Sequence, residues 1–166
     1  LTENRMLVER LWTPSGEYRI SGDGYSPEGT LTPTPDGDTL ARRAAHVAAA
    51  CNDATLVSPG GGGDWAITGD PTEGALVAFA AKLGVVQKDL HAYCPRVAEV
   101  SFDSERRRMT TVHQRGECDL EIDEPNWVAV KGAIESIAPL LAGDQQPALE
   151  AAREVAERFA AGGYRV

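Results

Sequence analysis

An alternating stretch from Val97 to Phe102 runs into the polar residues Asp103-Ser104-Glu105-Arg106 and returns as a second stretch, Arg107 to Gln114. Period-two alternation interrupted by a short polar turn is the pattern of an antiparallel hairpin. Ala98, Val100 and Phe102 fall on one face and Glu99 and Ser101 on the other, while Arg107, Met109 and Thr111 share a face of the returning strand. A second hairpin is predicted over 5–13 and 17–21, joined by Pro14-Ser15-Gly16. Short strands are expected over 65–68, as a buried strand, and over 127–130.

Helical periodicity fills much of the rest. Leu40, Ala44, Val47, Ala48 and Cys51 recur at helical spacing between Asp38 and Asn52. Gly69-Asp70-Pro71-Thr72-Glu73-Gly74-Ala75-Leu76 is a helix start with Asp70 at the N-cap, Pro71 in the first turn and Glu73 placed for a capping box. That helix turns Leu76, Phe79, Ala80 and Leu83 inward and stops at Gly84. Helices are also expected over 133–141 and 147–161, whereas 22–37, rich in Gly and Pro, reads as a loop. Hairpins with separate helices give an α+β fold, a twisted, largely antiparallel β-sheet flanked by helices.

A chain of 166 residues suits one domain, spanning 1–166, and 42% hydrophobic with 25% charged residues is ordinary globular composition. No apolar run approaches the roughly 20 residues of a membrane span. Leu1-Thr2-Glu3-Asn4-Arg5 has neither an initiator Met nor the apolar core of a signal peptide, so an excised fragment is expected. A formal charge of −9 repels phosphate backbones and argues against nucleic acid as partner. Cys51, Cys94 and Cys118 are odd in number and lack Cys-x-x-Cys spacing, which indicates neither a disulfide framework nor a zinc site and fits a reducing setting.

Few residues announce chemistry on their own. The glycines at 60–63 are followed by Asp64-Trp65, not by the Lys and hydroxyl residue of a phosphate loop, and read as a surface loop. His46, His91 and His113 show no metal spacing and read as structural or surface residues. Arg106-Arg107-Arg108 reads first as a solvated hairpin tip, Lys131 as a surface lysine and Glu73 as a capping carboxylate. Against those readings, paired strands could bring Phe102, Arg107 and Met109 to one region, the means to stack a base and hold a phosphate.

Three motifs in order narrow the choice. Gly69-Asp70-Pro71-Thr72-Glu73-Gly74-Ala75-Leu76, then Phe102-Asp103-Ser104-Glu105-Arg106-Arg107-Arg108-Met109-Thr110, then Val130-Lys131-Gly132-Ala133, resemble the nucleotide-binding domain of P-type cation-transporting ATPases. Leu1-Thr2-Glu3-Asn4-Arg5-Met6 and Gly163-Tyr164-Arg165-Val166 resemble the stretches by which that domain is inserted into a phosphorylation domain.

The resemblance implies ATP as ligand and the phosphorylation domain of the same parent chain as partner. It implies that Phe102 stacks on adenine, Glu73 meets the base edge and Lys131 with Gly132 lines the floor. Arg107 and Met109 then stand at the sides, Ser104 in the adjoining turn and Arg165 near the phosphates. The phosphorylated aspartate is absent, so this chain is expected to bind ATP without turning it over, Mg2+ entering only with the full-length enzyme. No metal site and no membrane contact are expected of the fragment itself, a cytoplasmic domain of a membrane protein. An insertion with two connections also implies that residues 1 and 166 lie close together. The Asp70-Pro71-Thr72-Glu73 form and the loop at 22–29 look like calcium-type pumps, while the arginine run also resembles magnesium-type ones, leaving the ion open. An interaction module of the same fold that does not bind nucleotide is the competing reading.

Overall fold

The computed structural model describes residues 5–35, 37–60, 63–116, 120 and 122–166. Residues 1–4 and Cys118 lie outside them, and with residue 1 the expected closeness of the two ends. Strands pair antiparallel throughout, as expected, but are divided among three small sheets: β1 (Arg10–Thr13), β2 (Gly16–Ile20) and β3 (Leu31–Thr32); β4 (Thr55–Val57) and β5 (Ala66–Thr68); and β6 (Arg96–Asp103), β7 (Arg108–Gln114) and β8 (Asn126–Gly132). Among the described residues five α-helices flank them, α1 (Thr39–Ala50), α2 (Pro71–Lys82), α3 (Gln87–Tyr93), α4 (Ile134–Ile137) and α5 (Gln146–Ala161).

The core lies between the inner face of β6–β8 and the helices α1 to α3. Met109, Trp127 and Ala129 enter it from the sheet, Ala45, Ala48, Ala49 and Cys51 from α1, Phe79 and Ala80 from α2, and Leu90 and Cys94 from α3. The buried stripe of α1 is only partly the predicted one: Ala48 and Cys51 are buried as expected, together with Ala41, Ala45 and Ala49, whereas Leu40, Ala44 and Val47 are only partly so. Alanines let α1 lie directly against α2, which is buried on nearly all sides, so the larger residues are left at the margin. Gly74 within α2 belongs to the same packing, because a Cβ there would stand 2.4 Å from Ile67 Cδ1 of β5.

Several other expectations change. Segment 65–68 is no buried strand; β5 forms a surface ribbon with β4, and of its residues Ile67 alone is partly buried. β3 appears within the predicted loop, and α3 was not foreseen, since no side chain caps it. Its Gln87 is held by tertiary bonds, donating to Ala49 O at 3.3 Å and Ala54 O at 3.0 Å. Helix α4 passes into a 3-10 turn at Ala138–Leu140, where Pro139 has no N–H to continue the α pattern.

Side-chain ties join the pieces. Asp38 caps α1, its Oδ1 accepting from Leu40 N at 2.8 Å, and its Oδ2 accepts from the hydroxyls of Tyr18 and Thr13 in the first hairpin. Lys82, at the end of α2, threads between Gly22 and Gly29 and donates to Ser21 O at 2.9 Å. At the other end of the chain Arg158 of α5 meets Glu17 at 2.8 Å, and the Arg10 guanidinium sits 5.9 Å from the centre of the Tyr164 ring. No helix among the described residues is long and apolar enough to cross a membrane.

Candidate functional site

Pro71 in the first turn and Asp70 at the N-cap set where α2 begins, and that beginning aims Glu73 at the sheet. Asp70 Oδ1 accepts from Thr72 N at 2.8 Å and Glu73 N at 3.2 Å. Burial opposes ionisation of this carboxyl, yet those bonds and the nearby Arg165 charge hold it below the usual aspartate range. The expected capping box does not close. Instead Glu73 Oε1 accepts from Lys131 Nζ of β8, and Oε2 accepts from the backbone N–H of Asp53 at 3.3 Å. Both side chains of the ion pair are about four-fifths covered, at 20% exposure each, so Lys131 is not the surface lysine its first reading suggested. A carboxylate offers about four lone-pair positions. Two are used here, and the rest can receive a donor from a ligand.

The strand register extends this pair across the sheet. Lys131 stands opposite Met109 of β7, and Met109 in turn faces an irregularity of β6 between Val100 and Asp103. There Ser101 and Phe102 oppose one residue, a β-bulge that breaks the alternation assumed from the sequence. Phe102 is 63% exposed, so its ring is available above the sheet. Met109 is 1% exposed, a correction to the expectation that it presents its thioether beside Phe102 and Arg107; it packs in the core and supports the row from beneath.

Beyond the bulge the chain turns tightly. Asp103 Oδ1 accepts from Glu105 N and Arg106 N at 2.9 and 2.8 Å, which leaves Ser104 exposed at the tip. Arg107 belongs to the turn and not to the strand, with φ of 49°. The arginine run is not simply a solvated tip. Arg106 donates to Ser101 O at 2.8 Å and Arg108 to Ser136 O at 2.7 Å, while Arg107 is exposed. Gly132 permits the close approach of this turn to β8: a Cβ there would lie 2.3 Å from Arg107 O.

The structure therefore brings Glu73, Lys131, Met109 and Phe102 into one row, with Ser104, Arg107 and Gly132 in the adjoining turn. Arg165 is exposed, its charge felt at Asp70 in the turn that carries Glu73. Bordered by the exposed Phe102, Ser104 and Arg107, the row is an open ledge. Two open clefts, of about 340 and 530 Å3, lie elsewhere, and neither is lined by Glu73, Phe102 or Lys131. Among the described residues no group of three or more His, Cys, Asp and Glu side chains gathers to hold a metal ion.

Sequence reasoning missed Arg96, Asp53 and Asn52, which hold the ledge from behind. Asn52 Nδ2 donates to Ala48 O and to Glu73 O at 3.0 and 2.9 Å. Arg96 Nη2 donates to Ala50 O and Asn52 O, closing the end of α1, and its Nη1 reaches Asp53 Oδ1 and Glu99 Oε2. The one local signal is the Arg96/Glu99 spacing at the start of an alternating strand. The three histidines are structural: His46 Nδ1 donates to Arg42 O at 2.8 Å within α1, and His113, fully buried, stacks on Trp127 at 4.7 Å with His91 beyond it.

Comparison with known proteins agrees with this architecture. The family model described as P-type ATPase, cytoplasmic domain N, matches residues 41–140. The chain is 42% identical over 146 residues to the probable cation-transporting ATPase F of Mycobacterium tuberculosis (strain ATCC 25618 / H37Rv), covering 84% of this chain and 15% of that protein. It is 33% identical over 147 residues to cation-transporting ATPase pma1 of Synechocystis, covering 82% and 15%, and 32% identical over 149 residues to calcium-transporting ATPase type 2C member 1 of Bos taurus, covering 82% and 14%. The chain thus spans about 15% of the length of such relatives. With three antiparallel sheets, flanking helices and a family match over most of its length, the chain belongs to the cytoplasmic N domains of P-type ATPases.

Proposed function

We propose that this domain holds the adenosine of ATP and presents the γ-phosphate to an aspartate in a separate phosphorylation domain of the same parent chain, a membrane-embedded cation pump. The observation that carries the reading is the Glu73 carboxylate, oriented by Lys131 and Asp53 N–H, with acceptor positions left open in the same row as an exposed aromatic ring. In this reading Phe102 stacks on the base, Glu73 accepts from the exocyclic amine and Lys131 with Gly132 forms the floor. Met109 backs the ring, Arg107 and Ser104 flank it, and Arg165 stands toward the phosphates. Transfer of the phosphoryl group needs an acceptor and a metal ion held by other domains, so the isolated chain binds ATP without hydrolysing it. Mg2+ enters with the full-length enzyme, and the transported ion is set by residues outside this chain.

One base stack contributes about 1–3 kcal/mol and few contacts accompany it, so the dissociation constant is on the order of 0.1 to 10 mM. Titration of isotopically labelled protein with ATP should shift the resonances of Phe102, Glu73 and Lys131. Absence of shifts at those residues at about 20 mM ATP would overturn the reading in favour of an interaction module that binds no nucleotide. So would magnesium-dependent phosphate release that survives repurification and disappears in a Lys131 variant.

A further inference from the structure

Arg96 does two separate things with the two ends of its guanidinium. Nη2 donates to Ala50 O at 3.1 Å and Asn52 O at 2.6 Å, a cation placed on the free carbonyls that end α1. Nη1 donates to Asp53 Oδ1 at 2.7 Å and Glu99 Oε2 at 2.8 Å, two carboxylates that are themselves 57% and 44% exposed. Exposed ion pairs of this kind add little to stability. What the second end does is geometric, because Asp53 and Glu99 belong to opposite sides of the ledge. Asp53 supplies the N–H that holds Glu73 Oε2. Glu99 accepts from the Ser101 hydroxyl at 3.0 Å, and Ser101 is the bulge residue next to Phe102.

We propose that Arg96 is a positioning residue of the nucleotide site, its fork joining Asp53 to Glu99 so that the carboxylate of Glu73 and the ring of Phe102 are held at the separation that lets one base meet both. The inference rests on the ATP-binding reading above. Each arm carries a different part of recognition. Through Asp53 the guanidinium fixes the acceptor at the base edge, where adenine presents an amino donor and guanine an acceptor oxygen. Through Glu99 it fixes the bulge that carries the stacking ring, which is nearly blind to the base. A lysine provides a point charge and cannot span both carboxylates while keeping the two carbonyls.

The test uses the whole chain and surface partners of Arg96, so that the bonds ending α1 stay in place. Asp53→Asn retains the backbone N–H and should lower the ratio of ATP to GTP affinity about threefold. Glu99→Gln should weaken ATP and GTP together, by a similar factor. Neither should move the urea midpoint of unfolding. In a Glu73→Gln background, Asp53→Asn should leave the ratio unchanged, because the acceptor it positions is gone. An unchanged ratio in Asp53→Asn alongside measurable ATP binding overturns this inference and leaves the proposed function standing. An equal loss of ratio in the Glu73→Gln background, or loss of cooperative unfolding in both single variants, also overturns it. If the unmutated chain shows no ATP shifts, both fail together.

Discussion

Glu73 in the first turn of α2 and Lys131 near the end of β8, 58 positions apart in sequence, share a hydrogen-bonded ion pair where helix and sheet meet. Removing one member leaves the other mostly covered and without its countercharge. Lys131→Met should therefore cost about 1–2 kcal/mol of stability, less than a fully buried pair because a fifth of each side chain still reaches water. Lys131→Met combined with Glu73→Gln should recover part of that loss. Urea unfolding of the two single variants and the double checks this, and simple additivity would show that the pair is not coupled.

Phe102→Ala should separate binding from folding. The ring is 63% exposed, so its removal should change stability by no more than about 0.5 kcal/mol. ATP affinity should fall by about 1–3 kcal/mol, the worth of one base stack. Calorimetric melting and an ATP titration of the same preparation measure both quantities, and a large drop in melting temperature would place the ring's role in packing.

Base choice tests Glu73 directly. A carboxylate only accepts, so GTP sets acceptor against acceptor and should bind about 1–3 kcal/mol more weakly than ATP. On the proposed reading the γ-phosphate projects toward another domain, so ADP should bind nearly as well as ATP. Glu73→Gln supplies a donor and should narrow the ATP/GTP gap. Competition titrations give the ratios, and equal affinity of the unmutated chain for ATP and GTP would show that Glu73 serves only its ion pair.

Gly132→Ala should strain the hairpin tip against β8. The added carbon meets Arg107 O at 2.3 Å and Arg108 Cα at 2.7 Å, both backbone atoms that cannot swing aside. The expected loss is about 1–3 kcal/mol, read from chemical unfolding, with shifts at Lys131.

Low pH should weaken the domain through the buried His113 and the partly buried His91. Burial holds both His113 and His91 below the usual histidine value of 6.5, so the unfolded chain takes up protons first. Stability from this source is fully present above pH 6.5 and falls as pH drops below it toward the depressed folded values. The slope is at most about 1.4 kcal/mol per pH unit for each histidine. Unfolding free energies between pH 7.5 and 5.5, with the imidazole resonances followed in parallel, measure the effect, and titration of His113 at its ordinary value would contradict it.

Parts of this architecture are written locally in the sequence and parts are not. Asp70 and Pro71 announce α2 because cap and first-turn preferences act over a few residues, and the hairpin of β6 and β7 is legible from alternation around Asp103. The bulge at Ser101 and Phe102 is invisible in the letters, since an extra residue shows only when counted against a partner strand. Helix α3 has no capping side chain and is held by Gln87, whose partners lie 38 and 33 positions away. Local spacing favoured a capping box for Glu73, and its pair with Lys131, 58 positions away, leaves no local sign. Arg96 escaped notice for the same reason as Gln87: its carbonyl partners are 46 and 44 positions distant.

The first hairpin and the last helix are clasped to each other by Arg158 on Glu17 and by Arg10 over Tyr164. The strands that carry Phe102 and Lys131 are fastened elsewhere, through Arg96, Glu73 and the alanine faces of α1 and α2. The ledge and the clasp of the first hairpin to α5 are thus held by separate sets of contacts, so that loosening one leaves the other in place.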